Sequence, residues 1–224
     1  MRKKYLIILL FCISFYIGYT HAQNTTSRLT SRKIDKNQTL PDENYKNFRF
    51  TFGGGYAYWL GENMKTGNKD LDDFSSELRN GYNLDIEAQY FFHEYIGIGL
   101  NGNFAKHSNN KLAELNMKES DNMFFLGATC NFRYENGKWG FYSGLGVGPI
   151  FYSGEGEIDG LYGKMQKTVF GLSCSISGEY RLNQTLGLGL KLSTTAGSFK
   201  ISEIDDRFSV SNLMLTGFIS FRTK

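Results

Sequence analysis

Residues 185–193 read TLGLGLKLS, with Leu186, Leu188, Leu190 and Leu192 on one parity and Gly187, Gly189, Lys191 and Ser193 on the other. A β-strand sends alternate side chains to opposite faces, so this stretch has one apolar face and one small, polar face. In a water-soluble sheet the leucines enter a core. In a membrane barrel they point outward into lipid. Which face is the inside decides the fold.

The same period-two pattern recurs at about 48–60, 82–92, 95–105, 122–134, 139–152, 166–180, 185–197 and 209–222. Each of these eight stretches can cross a bilayer at a tilt, for which about 9–11 residues are needed. One parity carries Phe48, Phe50 and Phe52 in the first stretch, Leu84 and Ile86 in the second, and Leu213, Leu215, Ile219 and Phe221 in the last. The other parity carries Arg49, Asp85, Glu87, Gln89, Asn101, Asn103, Thr129, Asn131, Arg133, Glu179 and Lys191, interleaved with glycines. The gaps at 61–81, 106–121, 153–165 and 198–208 are long, and those between are short turns, including the hairpin signal Asn136-Gly137. Long connections at one rim and tight turns at the other suit a barrel whose external loops are long and periplasmic turns short.

Two features select the outward-facing option. A soluble eight-stranded calyx would expose the non-leucine face and need long charged residues there. That face instead reads Gly53 and Gly55, Gly97 and Gly99, Gly144, Gly146 and Gly148, Gly187 and Gly189. Glycine is poor on a solvated strand but useful where a narrow lumen holds side chains from eight strands. The apolar face is aromatic at its ends, with Phe48, Tyr90, Tyr134, Trp139 and Tyr180 near the turns and Tyr56, Phe104, Phe124, Phe151 and Phe170 near the loops. Two aromatic bands around an aliphatic middle are the girdles of a membrane barrel. The fold expected is all-β: an eight-stranded antiparallel up-and-down transmembrane barrel over 48–224.

Composition agrees. The 224 residues contain 26 Gly, 2 Pro and 16% aromatics, and mean hydropathy is −0.36. Past the N-terminus no run of about 18 apolar residues exists, so membrane helices are excluded. Residues 1–22, with Arg2, Lys3 and Lys4 before an apolar stretch ending at Thr20-His21-Ala22, read as a secretory signal peptide. Its removal takes the formal charge from +3 to neutral, which disfavours nucleic acid as a partner. Residues 23–47 are polar and aperiodic, and read as a disordered periplasmic leader. The mature chain keeps Cys130 and Cys174, both on the apolar parity of strands that are not neighbours, so free thiols are expected.

In these features the chain resembles small outer-membrane β-barrel proteins of the OmpA/OmpX type, in particular the porin-like barrels of Bacteroidetes. The likeness covers about 48–224 and includes the ending LMLTGFISFRTK, which is similar to a terminal strand read by the barrel-assembly machinery. It implies the outer membrane of a Gram-negative bacterium, contact with lipid and lipopolysaccharide, assembly-machinery contact during insertion, a protein partner at the extracellular loops, and a monomer. The group includes structural, adhesive and secretion-associated members, so the fold leaves function open.

Chemical motifs are few. GLGVGP at 144–149 has its glycines at period two within a strand and no helix after it, which is wrong for a phosphate loop. The carboxylates of 154–160 and 70–73 lack calcium-loop spacing and read as solvated loop charges. His93 falls in a turn and His107 in an outer loop, at opposite rims, so they cannot share a catalytic site. No enzyme activity, cofactor or metal is expected. Arg49, Glu87, Arg133, Glu179 and Lys191 read as a lumen network of ion pairs and hydrogen bonds, because charges in a narrow interior need partners. The leading reading is a structural or interaction barrel with four outward loops and a filled lumen. The alternatives are a narrow channel for ions or small solutes and, behind it, a barrel enzyme.

Overall fold

Alternation at period two, with small residues on the inner parity, lets strands curl until the first meets the last. A computed structural model describes residues 47–61, 69–112, 117–158, 160–201 and 206–223. The signal peptide at 1–22, and all but the last residue of the leader at 23–47, lie outside them. The strands are β1 (Phe48–Trp59), β2 (Asn80–Phe91), β3 (Ile96–Leu112), β4 (Met117–Asn136), β5 (Trp139–Ile158), β6 (Leu161–Arg181), β7 (Leu186–Ala196), β8 (Ser198–Ile201), β9 (Asp206–Ser209) and β10 (Asn212–Thr223), with one helix, α1 (Lys69–Leu78). Strands β1–β7 and β10 form a closed antiparallel barrel in sequential order, and β10 closes it against β1 from Phe48↔Thr223 to Trp59↔Asn212. Closure pairs both edges of every barrel strand across the apolar belt, which a hydrocarbon surrounding demands.

Several expectations about the long connections and strand limits are corrected. The gaps at 106–121 and 153–165 are mostly not loops: β3 and β4 pair up to Leu112↔Met117, and β5 and β6 up to Ile158↔Leu161. Both hairpins outrun the apolar belt, and apolar–polar alternation fades there because the outer face meets water instead of hydrocarbon. The stretch 61–81 contains α1, and 198–208 contains the small hairpin β8–β9. His107 therefore lies on β3, not in a loop. The last barrel strand begins at Asn212 rather than at 209.

The tight turns follow their chemistry. Gly137 takes φ 58° in the Asn136–Lys138 turn, a left-handed conformation open to glycine at no steric cost. Asn183 Oδ1 accepts the backbone N–H groups of Thr185 and Leu186 at 2.8 and 2.7 Å, which closes the β6–β7 turn. Inside the barrel, a Cβ on Gly144 would fall 2.8 Å from Asn131 Oδ1 and 2.9 Å from Ser175 Oγ. Glycine there is what leaves room for the polar side chains of neighbouring strands.

Candidate functional site

Burial is the reverse of a soluble sheet. Phe52, Ile86, Leu100 and Leu190 are each 60% exposed or more, whereas Arg49, Asp85, Glu179 and Lys191 are buried. An outer wall of exposed Phe, Leu and Ile around buried charge is stable only if the surrounding medium is hydrocarbon. The barrel is a membrane-spanning one. Tyr56, Tyr82, Phe104, Phe124, Phe151 and Phe170 mark the loop-side edge of its belt, and Phe48, Tyr90, Tyr134, Trp139 and Tyr180 the turn-side edge. Both cysteines are free on this wall, in register on either side of Leu145.

Three layers of side chains line the lumen. Nearest the turns, Glu179 sits between two arginines: Arg49 Nη2 lies 2.9 Å from its Oε2, and Arg222 Nε 3.4 Å from its Oε1. Arg49 also donates to Gln89 Oε1 at 2.8 Å and lies over the Tyr142 ring, 3.8 Å from its centroid. Tyr142 in turn donates to Glu135 at 2.8 Å, and Arg181 pairs with the same carboxylate at 2.5 Å. At mid-height, Lys191 Nζ bridges Asp85 at 3.0 Å and Glu87 at 3.2 Å, while Asn101 and Asn103 donate to Asp85 Oδ2. A multiply hydrogen-bonded cation between two carboxylates is the arrangement that makes buried charge tolerable.

The third layer is apolar. At and above the loop-side edge of the belt, Trp59, Met123, Phe125, Ile150 and Tyr152 turn inward, and Leu78 of α1 and Val210 after β9 close over them. Trp59 Nε1 donates to Ser209 O at 2.7 Å, and Asn109 Nδ2 donates to Phe74 O at 3.0 Å, so side chains tie both outer segments down. His107 is fully buried beside this plug, its Nδ1 3.1 Å from Arg79 O and its Nε2 2.9 Å from Asn212 Oδ1. Asp121, its cross-strand neighbour, accepts from Tyr152 at 2.5 Å. These outer groups lie beyond the membrane-spanning segment. Burial pushes the Asp121 carboxyl up to about 6, and burial together with Asp121 pushes Glu119 up to about 7. Burial lowers the His107 imidazole.

Among the residues singled out from sequence, Arg49 meets Glu179 and Lys191 meets Glu87. Arg133 is held instead at the turn rim, where Nε donates to Glu94 O at 2.9 Å and the guanidinium lies 4.2 Å from the Phe91 ring centroid. Asp85, Arg222 and Glu135 complete the charge network and were not singled out. The inward parity of Asp85 was visible, whereas Glu135 read as part of a turn and Arg222 as an end residue, and which partner each meets across the lumen depends on strand stagger. His93, in the bend at 92–95, and His107 are at opposite rims. Among the described residues no group of three His, Cys, Asp or Glu could hold a metal ion.

No protein-family model matches this chain, and no curated protein matches it. Its structure is similar to Neisserial surface protein A, with TM-score 0.48 and 13% identity over 78% of this chain and 96% of that one. It is also similar to Ail, the attachment invasion locus protein of Yersinia pestis, with TM-score 0.48 and 16% identity over 79% and 100%. A third likeness is to the outer membrane protein OprG from Pseudomonas aeruginosa, with TM-score 0.47 and 13% identity over 80% and 97%. At such identities the likeness concerns the path of the chain and nothing of its chemistry.

Proposed function

We propose that this chain is an outer-membrane barrel of a Gram-negative bacterium, exported behind residues 1–22, with 23–47 as a periplasmic leader. It acts as an anchor that presents its long hairpins outward, not as a pore. The observation that supports this reading is the stack of side chains along the lumen, from Arg49–Glu179–Arg222 through Lys191–Asp85 to the apolar cluster around Phe125. Eight strands enclose a space that side chains alone can fill.

The outward hairpins are then the working surface. From Leu161 to Gly171, β6 pairs with β5 alone, and among the described residues β7 joins it only from Leu172. A strand with one unpaired backbone edge offers a template for an extended segment of a protein partner. No reaction is assigned, since the two histidines of the barrel lie at opposite rims.

Two measurements test the reading. Reconstituted in a planar bilayer, the barrel should give no steady conductance, and a reproducible open pore would overturn the anchor reading in favour of the channel. On intact cells, a cysteine at Gly160 should react with an impermeant label while one at Gly137 stays silent until the outer membrane is broken. The opposite pattern would invert the topology.

A further inference from the structure

The hairpin β8–β9 keeps the register of the β7–β10 ladder. Thr194↔Leu213 and Thr195↔Asn212 resume, past a break, as Ser198↔Ser209 and Phe199↔Phe208. At the break the chain is held by Val210 N donating to Gly197 O at 3.0 Å and Gly197 N donating to Ser211 Oγ at 3.2 Å. There the hairpin leaves the wall and crosses the mouth. Phe208 lies 5.3 Å from the Trp59 ring on β1 and 5.2 Å from the Tyr152 ring on β5, strands that stand opposite each other in the ring. Trp59 Nε1 latches it by donating to Ser209 O.

This bend leaves two strand edges apart that belong to one ladder. From Leu161 to Gly171, β6 pairs with β5 alone, and among the described residues β8 pairs only with β9. The β6–β7 register ends at Leu172↔Ala196. Carried on, it sets Phe170 against Ser198, Val169 against Phe199 and Thr168 against Lys200. The side chains agree with that alignment: Val169 and Phe199 both pack on the apolar cluster of the mouth, while Thr168 and Lys200 are both exposed.

We infer that β8–β9 is a hinged strap with two seats. In the seat seen here it crosses the mouth. In the other it straightens at Gly197 and Val210–Ser211, β8 joins the free edge of β6 in the continued register, and Phe208 leaves Trp59. The mouth seat rests on one indole hydrogen bond and a few ring contacts, and the edge seat on a few backbone bonds. Both sets are modest in net free energy, so a small bias moves the strap. The two seats exclude each other. An extended partner on the β6 edge therefore holds the strap over the mouth, a consequence that rests on the proposed use of that edge, whereas the strap itself does not.

Disulfide trapping of the folded barrel in detergent tests this. In the mature chain with Cys130→Ala and Cys174→Ala, Thr168→Cys is combined with Lys200→Cys. Directly opposed residues of an antiparallel pair have Cα atoms about 4.5–5.5 Å apart, within disulfide reach. The pair should cross-link under mild oxidation. A Lys164→Cys/Lys200→Cys pair, four residues out of register and so about 13 Å apart along the strand, should not. Trp59→Phe, which removes the latch, should speed the first cross-link roughly fivefold, the scale of one hydrogen bond. Heat-modifiable gel migration reports the fold of each variant. No cross-link in the first pair, equal cross-linking of both pairs, or a rate untouched by Trp59→Phe would overturn the strap. None of these outcomes bears on the anchor reading, which the conductance and labelling measurements decide.

Discussion

On β7, Leu190 exposes 64% of its surface and the next residue, Lys191, 4%. In a water-soluble sheet that order would be reversed. The outer wall and the lumen are two faces of the same strands, and across the belt the closed backbone ladder and paired charges hold the barrel together, beside a few buried rings such as Phe91 and Phe218. The inversion stops above the belt, where Trp59, Met123 and Tyr152 point inward and are buried as in a soluble domain. Solvent therefore sets the arrangement along each strand, hydrocarbon outside at mid-height and water outside at the mouth.

The largest expected effect is in the lumen. Lys191→Leu strips the cation from Asp85 and Glu87, and removing one partner of a buried pair costs about 3–5 kcal/mol. Denaturant unfolding in detergent measures it. Adding Asp85→Asn and Glu87→Gln should recover most of the loss, because the remaining charge then disappears. A single variant as stable as wild type would mean that the lumen is wet enough to screen these groups.

On the outer wall, Leu190→Arg places a guanidinium near the bilayer midplane and should cost roughly 2–4 kcal/mol of folded stability in lipid. Its insertion yield and unfolding midpoint read this directly. Were it neutral, that wall would face water.

The smallest expected effect belongs to the mouth. Asp121 and Glu119 have carboxyls raised by burial, so the folded state holds their protons more tightly than the unfolded chain does. Their contribution is fully present below the ordinary carboxylate range and is lost as pH rises through about 6 and about 7. His107 is lowered by burial and acts in the opposite sense, weakening the mouth as pH falls below about 6.5. Asp121→Asn should therefore raise stability at pH 8 by on the order of 1–2 kcal/mol relative to pH 5. An unchanged difference between the two pH values would show that this carboxyl does not titrate against burial.

Strand parity across the belt was legible in the sequence because hydrocarbon outside and polar groups inside impose a strict period of two. The Leu186–Leu192 run is outward, and Arg49, Glu179 and Lys191 inward, as their positions imply. Above the belt the cue fails. The segment LYGKMQK at 161–167 lacks alternation yet forms strand, being largely exposed on both faces, while SNNKL at 108–112 buries the polar Asn109 against α1. Leu78, Phe208 and Val210 look scattered in sequence and meet only when α1 and the β8–β9 hairpin fold over the mouth. The Lys191–Asp85 pair, 106 residues apart, depends on strand stagger that no local pattern encodes.

The central claim is that the leucines of 185–193 face lipid. The most direct measurement is the medium in which the mature chain folds. It should fold only in detergent or lipid, and the folded form should migrate differently from the boiled chain on a gel. A stable, folded monomer recovered in plain buffer would mean that the leucines face inward, contradicting the account.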